Sequence, residues 1–326
     1  MTRVAVLPSL DARAYRAHAP LHSAERIWLE KNCYADLWIE LLHAQGLEPH
    51  ACLPFVFGLD FEGDQWTFFK PPLAELRRLY GIDVQELTVW RALLDHAVEH
   101  LGAGKWLSLE VDAHWLPDTA GTDYRSAHSK TTIVLNDIDT DARRLGYFHN
   151  AGYFELDGED YAQLFALDAL PALLPPYAEL IRIDRVLHRP LSELRAISAE
   201  LLDEHLAWRP ASNPVVRFAD RFEAELPHLQ QLGFEHYHRW AFAGVRQLGA
   251  AFELAALYLR WQWPDGRAAE AAAAFELIAQ HAKTLILKAA RAVNSGRALD
   301  ARQLFDEMAL AWERGMAGTE AASRSA

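Results

Sequence analysis

Cysteine is nearly absent: Cys33 and Cys52 are the two in 326 residues. That is too few for the disulfide framework of a small secreted domain. No apolar run approaches the length of about 18 residues that a membrane-spanning helix needs. The opening Met1-Thr2-Arg3-Val4-Ala5-Val6-Leu7-Pro8 lacks the long apolar region of a secretory signal. A reduced, cytoplasmic protein is expected, with no membrane partner. Positive charge is in deficit, 32 Lys and Arg against 45 Asp and Glu, for a net charge of −13. This disfavours nucleic acid as a partner, because such binding rests on phosphate neutralisation. Gly102-Ala103-Gly104-Lys105 is too short for a phosphate loop and has no Ser or Thr after the lysine. His236 and His238 stand two apart on an expected helix and point away from each other. Neither a metal nor a bound cofactor is expected.

Apolar residues are plentiful, at 51% with 11 Trp, so the chain can build a full core without staples. Its first half alternates helical and strand patterning. Residues 3–7 read as a short strand, and a helix from Cys33 to about Gln45 stops at Gly46. Glu62-Gly63-Asp64 reads as a turn between apolar runs, followed by helices from Pro71 to Tyr80 and from Val89 to Leu101. Trp106 to Asp112 alternates as a strand, with Ser108, Glu110 and Asp112 on one face. Strands are expected at Ser129–Leu135 and Leu145–Asn150, joined by a polar turn from Asn136 to Arg144. Beyond residue 160 helices dominate, near 159–168, 190–207, 215–232, 236–261, 267–294 and 299–315, with a frayed tail from Ala317. The fold class is therefore α+β, with an N-terminal domain of helix and antiparallel sheet at 1–160 and an all-helical domain at 161–326.

One stretch suggests chemistry. Glu30-Lys31-Asn32-Cys33-Tyr34-Ala35-Asp36 places a thiol at the opening of an amphipathic helix. Unpaired N–H groups and the helix dipole favour thiolate there. A cysteine nucleophile needs a base, and the base an orienting group. If the turn between the two expected strands centres on Asp139, His128 faces Asn150 across the hairpin, with Lys130 on the same face. An Asn amide so placed could accept the imidazole N–H. Each residue also has a structural reading: Cys33 as a small core residue, His128 as a strand-end histidine, Asn150 as a turn former. Glu110 and Asp112 read as a solvated sheet face, and Cys52 as core. Arg182, Arg185, His188, Arg189 and Arg195 form a basic stretch that reads as a solvated face or as a docking patch for an acidic partner.

The order of cysteine at a helix start, then histidine and asparagine on a later hairpin, resembles the papain-like cysteine enzymes. Roughly residues 20–155 are similar to the N-terminal domain of the butirosin-biosynthesis H protein type. Nearly the whole chain also resembles domain-of-unknown-function family 1839, through Trp115-Leu116-Pro117-Asp118-Thr119, His128-Ser129-Lys130-Thr131-Thr132-Ile133 and Tyr147-Phe148-His149-Asn150-Ala151-Gly152-Tyr153. The resemblance implies a papain-like domain that moves an acyl or aminoacyl group from a carrier-protein thioester to an amine or hydroxyl acceptor. Cys33 would be nucleophile, His128 base and Asn150 orienting residue, where many relatives carry Asp. Many relatives also carry Gly where Asn136 stands. The papain-type oxyanion glutamine would fall near Ile27, which has no side-chain donor, so Asn32 or the Cys33 N–H would take that role, with Lys130 and Asp36 nearby. Arg182, Arg185 and Arg189 would meet the carrier protein or the phosphate of its phosphopantetheine arm. The alternatives are a peptidase or amidase with the same three residues, and a non-catalytic carrier-binding module.

Overall fold

A computed structural model describes residues 3–167 and 175–324 of the chain. The fold is α+β. It divides into two compact units whose segments interleave in sequence. The first comprises Met1–His22, Cys33–Leu47 and Leu73–Arg189; the second comprises Ser23–Asn32, Glu48–Pro72 and Pro190–Ala326. The expected boundary at 160/161 thus moves to Arg189/Pro190. The reason is a strand, β7 below, that lies past residue 160 and pairs in the middle of the sheet.

The first unit holds β1 (Arg3–Ala5), α1 (Ala19–His22), α2 (Cys33–Ala44), α3 (Leu73–Tyr80), β2 (Asp83–Glu86) and α4 (Leu93–Gly102). It continues with β3 (Trp106–Asp112), β4 (Lys130–Asp139), β5 (Arg144–His149), β6 (Gly152–Asp157), α5 (Gly158–Leu164) and β7 (Ala178–Arg182). The seven strands form one antiparallel sheet in the order β2-β7-β3-β4-β5-β6, with β1 paired to the far end of β4. The alternation read at 106–112 is realised over its full length. β2 and β7 carry little alternation and escaped the sequence reading: Asp83-Val84-Gln85-Glu86 is short and polar and lies at the sheet edge. The helix expected over 159–168 ends at Leu164, and residue 168 lies outside the described residues.

Strand pleating separates two faces. One buries Leu107, Leu109, Ile133, Leu135, Leu145 and Tyr147 with Ala97 and Leu101 of α4 and Tyr161 of α5. Each such aliphatic or aromatic side chain contributes roughly 1.5–3 kcal/mol on leaving water. The other face carries Trp106 and Phe148, whose rings meet edge-on at 5.9 Å. Tyr15 packs on Phe148 from above and donates its hydroxyl to Glu40 of α2 at 2.6 Å, which fixes α2 on this second face.

The polar run 136–144 is not simply a turn. β4 continues to Asp139, and its pairing with β5 shifts between Leu135 and Asp137. Asn136 sits at this bulge, fully buried. Its Oδ1 accepts from the Leu7 N–H (2.9 Å) and Trp106 Nε1 (3.1 Å), and its Nδ2 donates to the Leu7 carbonyl (3.1 Å) and Tyr153 hydroxyl (3.1 Å). Four hydrogen bonds make a buried amide tolerable in a strand. The turn consequently moves to Thr140–Arg143.

The second unit is helical: α6 (Leu191–Ala207), α7 (Pro214–Leu232), α8 (Phe234–Ala241), α9 (Gln247–Gln262), α10 (Ala269–Ser295) and α11 (Arg302–Arg324). The helix read over 236–261 is broken by a π-helical turn at Phe242–Arg246. The tail expected to fray from Ala317 stays helical to Arg324 because Thr319 and Ala322 are buried in the unit. The apolar run at 49–58 forms a 3-10 helix rather than a strand, and the Glu62-Gly63-Asp64 turn closes one isolated bridge, Phe61 to Trp66. Glu253 of α9 accepts the N–H groups of Ile27 (2.8 Å) and Trp28 (2.9 Å), fastening the 23–32 segment to this unit. Among the described residues, no helix is long and apolar enough to cross a membrane.

Candidate active site

Cys33 is the first residue of α2 and is partly exposed. Its thiol stands at the positive end of the α2 dipole. Its sulfur has no hydrogen-bond partner among the described residues. The next residue locates it: the Tyr34 hydroxyl donates to Glu179 of β7 at 2.9 Å. Glu179 is paired in register with Ser108 of β3. Ser108, Glu110 and Asp112 alternate on one face, so α2 opens over the face that carries Asp112.

His128 does not face Asn150. Ile133 pairs with His149, and extending that ladder sets Asn150 beside Thr132, well away from His128. The assumed register failed because β4 absorbs Asn136 and Asp137 into the strand instead of turning there. Asn150 leaves the sheet with φ +44°, the left-handed conformation that Asn adopts more readily than most residues, and so acts as the turn former between β5 and β6. The residue that orients His128 is Asp112: its Oδ2 lies 2.6 Å from His128 Nδ1. Its Oδ1 accepts from the His114 N–H at 3.0 Å. Partial burial alone would raise the Asp112 pKa, but the His128 hydrogen bond, the His114 and Ser129 amides and the His128 charge bring it below the ordinary carboxylate value. The ionised carboxylate fixes the Nδ1–H tautomer, leaving Nε2 as the basic nitrogen. His114 stacks on His128 with centroids 4.3 Å apart and an interplanar angle of 11°. The alternation of 108, 110 and 112 had placed Asp112 on one face. What sequence could not provide was that Lys130 pairs with Asp112 in register, which brings the His128 segment alongside it.

The other expected residues are distributed differently. The Asn32 side chain is buried and donates to the Phe69 carbonyl at 2.9 Å. Lys130 is exposed and pairs with Glu110 at 2.9 Å. Asp36 is fully buried and accepts from His22 Nε2 at 2.8 Å, while His22 Nδ1 pairs with Glu40, so Asp36 belongs to a buried ionic cluster and not to the reacting surface. Arg182 and Arg77 share Asp83, whose pKa is pulled down to about 2, chiefly by Arg182. Arg189 donates to the Leu79 carbonyl at 3.0 Å and to that of Arg78, capping α3. Arg185 is exposed. Cys52 is core, donating to the Pro49 carbonyl at 3.3 Å.

The thiol at the start of α2 and the aspartate-held histidine thus belong to the same face of the sheet. Comparison with protein families gives the relationship. The DUF1839 N-terminal domain matches residues 17–183 and the DUF1839 C-terminal domain residues 191–321. The chain belongs to the DUF1839 family. No curated protein matches it.

Proposed function

We propose that this chain is a cysteine-dependent acyltransferase that moves an acyl or aminoacyl group from a carrier-protein thioester to an amine or hydroxyl acceptor. The observation that carries this reading is the placement of Cys33, at the opening of α2, over the sheet face on which Asp112 holds His128. The expected resemblance of the N-terminal half to the butirosin-type, papain-like domain suggests a cysteine nucleophile with a histidine base, but Asp112 precedes His128 in the chain, so the Cys-His-Asn order of that resemblance is not kept. Cys33 is the nucleophile, His128 the base and Asp112, in place of Asn150, the orienting residue.

His128 Nε2 takes the Cys33 proton, and the thiolate attacks the thioester carbonyl. The developing oxyanion is met by the Cys33 backbone N–H. The C–S bond to the phosphopantetheine arm breaks, its sulfur leaves as a thiol with the proton from His128, and the acyl group remains on Cys33. The acceptor then attacks, His128 removes its proton and returns one to the Cys33 sulfur. A reducing cytoplasm keeps such a thiol free. Of the three arginines expected at the carrier surface, Arg185 is exposed and has no side-chain partner among the described residues, and Arg182 is shared with Asp83, so an acidic carrier is met by these two, while Arg189 holds α3.

Incubation with an aminoacyl-loaded carrier protein and an amine tests the reaction. The expected result is an amide whose formation needs Cys33 and His128. Release of the free acid whether or not amine is present would mark a hydrolase. Release of neither product would leave a carrier-binding module.

A further inference from the structure

The opposite face of the same sheet carries a second arrangement of nucleophile, imidazole and carboxylate. Thr131 Oγ1 lies 2.8 Å from His149 Nε2, and His149 Nδ1 lies 2.5 Å from Asp118 Oδ2. The other carboxylate oxygen, Asp118 Oδ1, accepts the Tyr147 hydroxyl at 2.5 Å. Burial first, then the Asp118 charge and hydrogen bond, drives the Tyr147 pKa upward, so this phenol stays a donor. Asp118 is thereby held by two donors and accepts from Nδ1–H. In the neutral imidazole Nε2 is then an acceptor, and the Thr131 hydroxyl donates to it. This is the proton path of a hydroxyl nucleophile with its base and orienting group.

The scaffold fixes each member. Thr131 is paired with Val111 of β3, and His149 ends β5 opposite Ile133, so both come from the middle of the sheet. Asp118 comes from the segment between β3 and β4, which is fastened to α5 by the Tyr124 hydroxyl on Asp160 (2.9 Å) and by Arg125 on Asp160 (2.5 Å) and Glu159 (3.2 Å). Thr131 retains 7% of its surface and His149 1%, too little for a polymeric donor to reach.

We propose that Thr131, His149 and Asp118 form a second acyl-accepting centre, which takes small acyl groups from activated esters or thioesters onto the threonine oxygen. As Oγ1 bonds to the acyl carbon, the Thr131 proton passes to His149 Nε2. The bond from that carbon to the leaving oxygen or sulfur breaks, and the leaving group departs as an alcohol or thiol with the proton from His149. The product is a Thr131 ester. The centre is independent of Cys33, because Thr131 and His149 side chains lie on the face turned away from α2.

The test uses the full chain carrying Cys33→Ala, treated with p-nitrophenyl acetate and mapped by peptide mass. The expected result is one acetyl group on Thr131 and none on Thr132, the next residue on the other face, which is paired with Glu110. Thr131→Ser retains acetylation, and His149→Gln slows it by about 10²-fold or more, the contribution of a general base. Unmodified Thr131 in the folded Cys33→Ala chain overturns the proposal. So does acetylation of Thr131 and Thr132 at equal rates. Because Cys33 is absent throughout, neither result bears on the acyltransferase reading.

Discussion

Asp112 Oδ2 lies 2.6 Å from His128 Nδ1, and on the proposed mechanism that pair supplies the base and its orienting carboxylate. Loss of His128 removes the base, and loss of Asp112 frees the imidazole to take the wrong tautomer or rotate away. We expect His128→Ala to slow acylation of Cys33 by about 10²–10⁴-fold, and Asp112→Ala to slow it by at least about 10-fold. Asn150→Ala leaves the rate within about 2-fold, since it has no role in proton transfer. Single-turnover acylation of the three variants measures this. A rate loss confined to Asn150→Ala would restore the asparagine as orienter.

Asn150 should declare itself in stability instead. It holds φ +44° between β5 and β6. Replacement by Gly, which adopts that conformation freely, is close to neutral, while Asn150→Val costs about 1–2 kcal/mol. Urea midpoints at constant m-value separate the two variants.

Much of this architecture was legible in the sequence. Alternation from Trp106 to Asp112, the glycine stop at Gly46 and the helical patterning beyond residue 190 are local signals, and local signals survive into the fold. The position of Cys33 at a helix start was likewise local. Registers are not local. Whether β4 ends at Leu135 or at Asp139 depends on Asn136 finding four hydrogen-bond partners, two of them on half-buried Leu7. No periodicity within 128–150 encodes that, so the register read from sequence set Asn150 against His128, where the fold sets Asp112. The domain boundary failed for the same reason: β7 belongs to the sheet through pairing with β2 and β3, not through its own pattern.

Asn136 is accordingly a strong stability determinant. Asn136→Ala strands the Trp106 indole N–H and the Tyr153 hydroxyl away from their amide partner and leaves the Leu7 amide without its side-chain contacts. An unsatisfied buried polar group costs about 1–3 kcal/mol, so the substitution is expected to cost at least about 2 kcal/mol in urea. A loss under about 0.5 kcal/mol would mean that the bulge re-forms without the amide.

The cluster of His22, Asp36 and Glu40 predicts a pH dependence of folding. Both ring nitrogens of His22 face carboxylates, an arrangement in which the ring donates twice as imidazolium. Burial alone would raise the Glu40 pKa, yet the His22 hydrogen bond and charge, the Tyr15 hydroxyl and the His18 amide bring it below its ordinary 4.5. A carboxylate depressed in the folded state adds stability that is present above the unfolded value and is lost as pH falls through the folded one. Glu40→Gln should therefore flatten the acid limb of the stability curve below about pH 4.5. His22→Ala removes the imidazole that faces both buried carboxylates and is expected to cost about 3–5 kcal/mol at neutral pH. Denaturation midpoints across pH for the wild type and both variants check the sign and the size.

Intact mass of the wild type and of Cys33→Ala after mixing with an aminoacyl-loaded carrier protein bears most directly on the proposed chemistry. The account predicts a wild-type mass increase equal to the aminoacyl group, absent in Cys33→Ala and restored to free enzyme when an amine acceptor is added. Unchanged wild-type mass, with Cys33 alkylated no faster than an ordinary free thiol, would contradict the covalent mechanism.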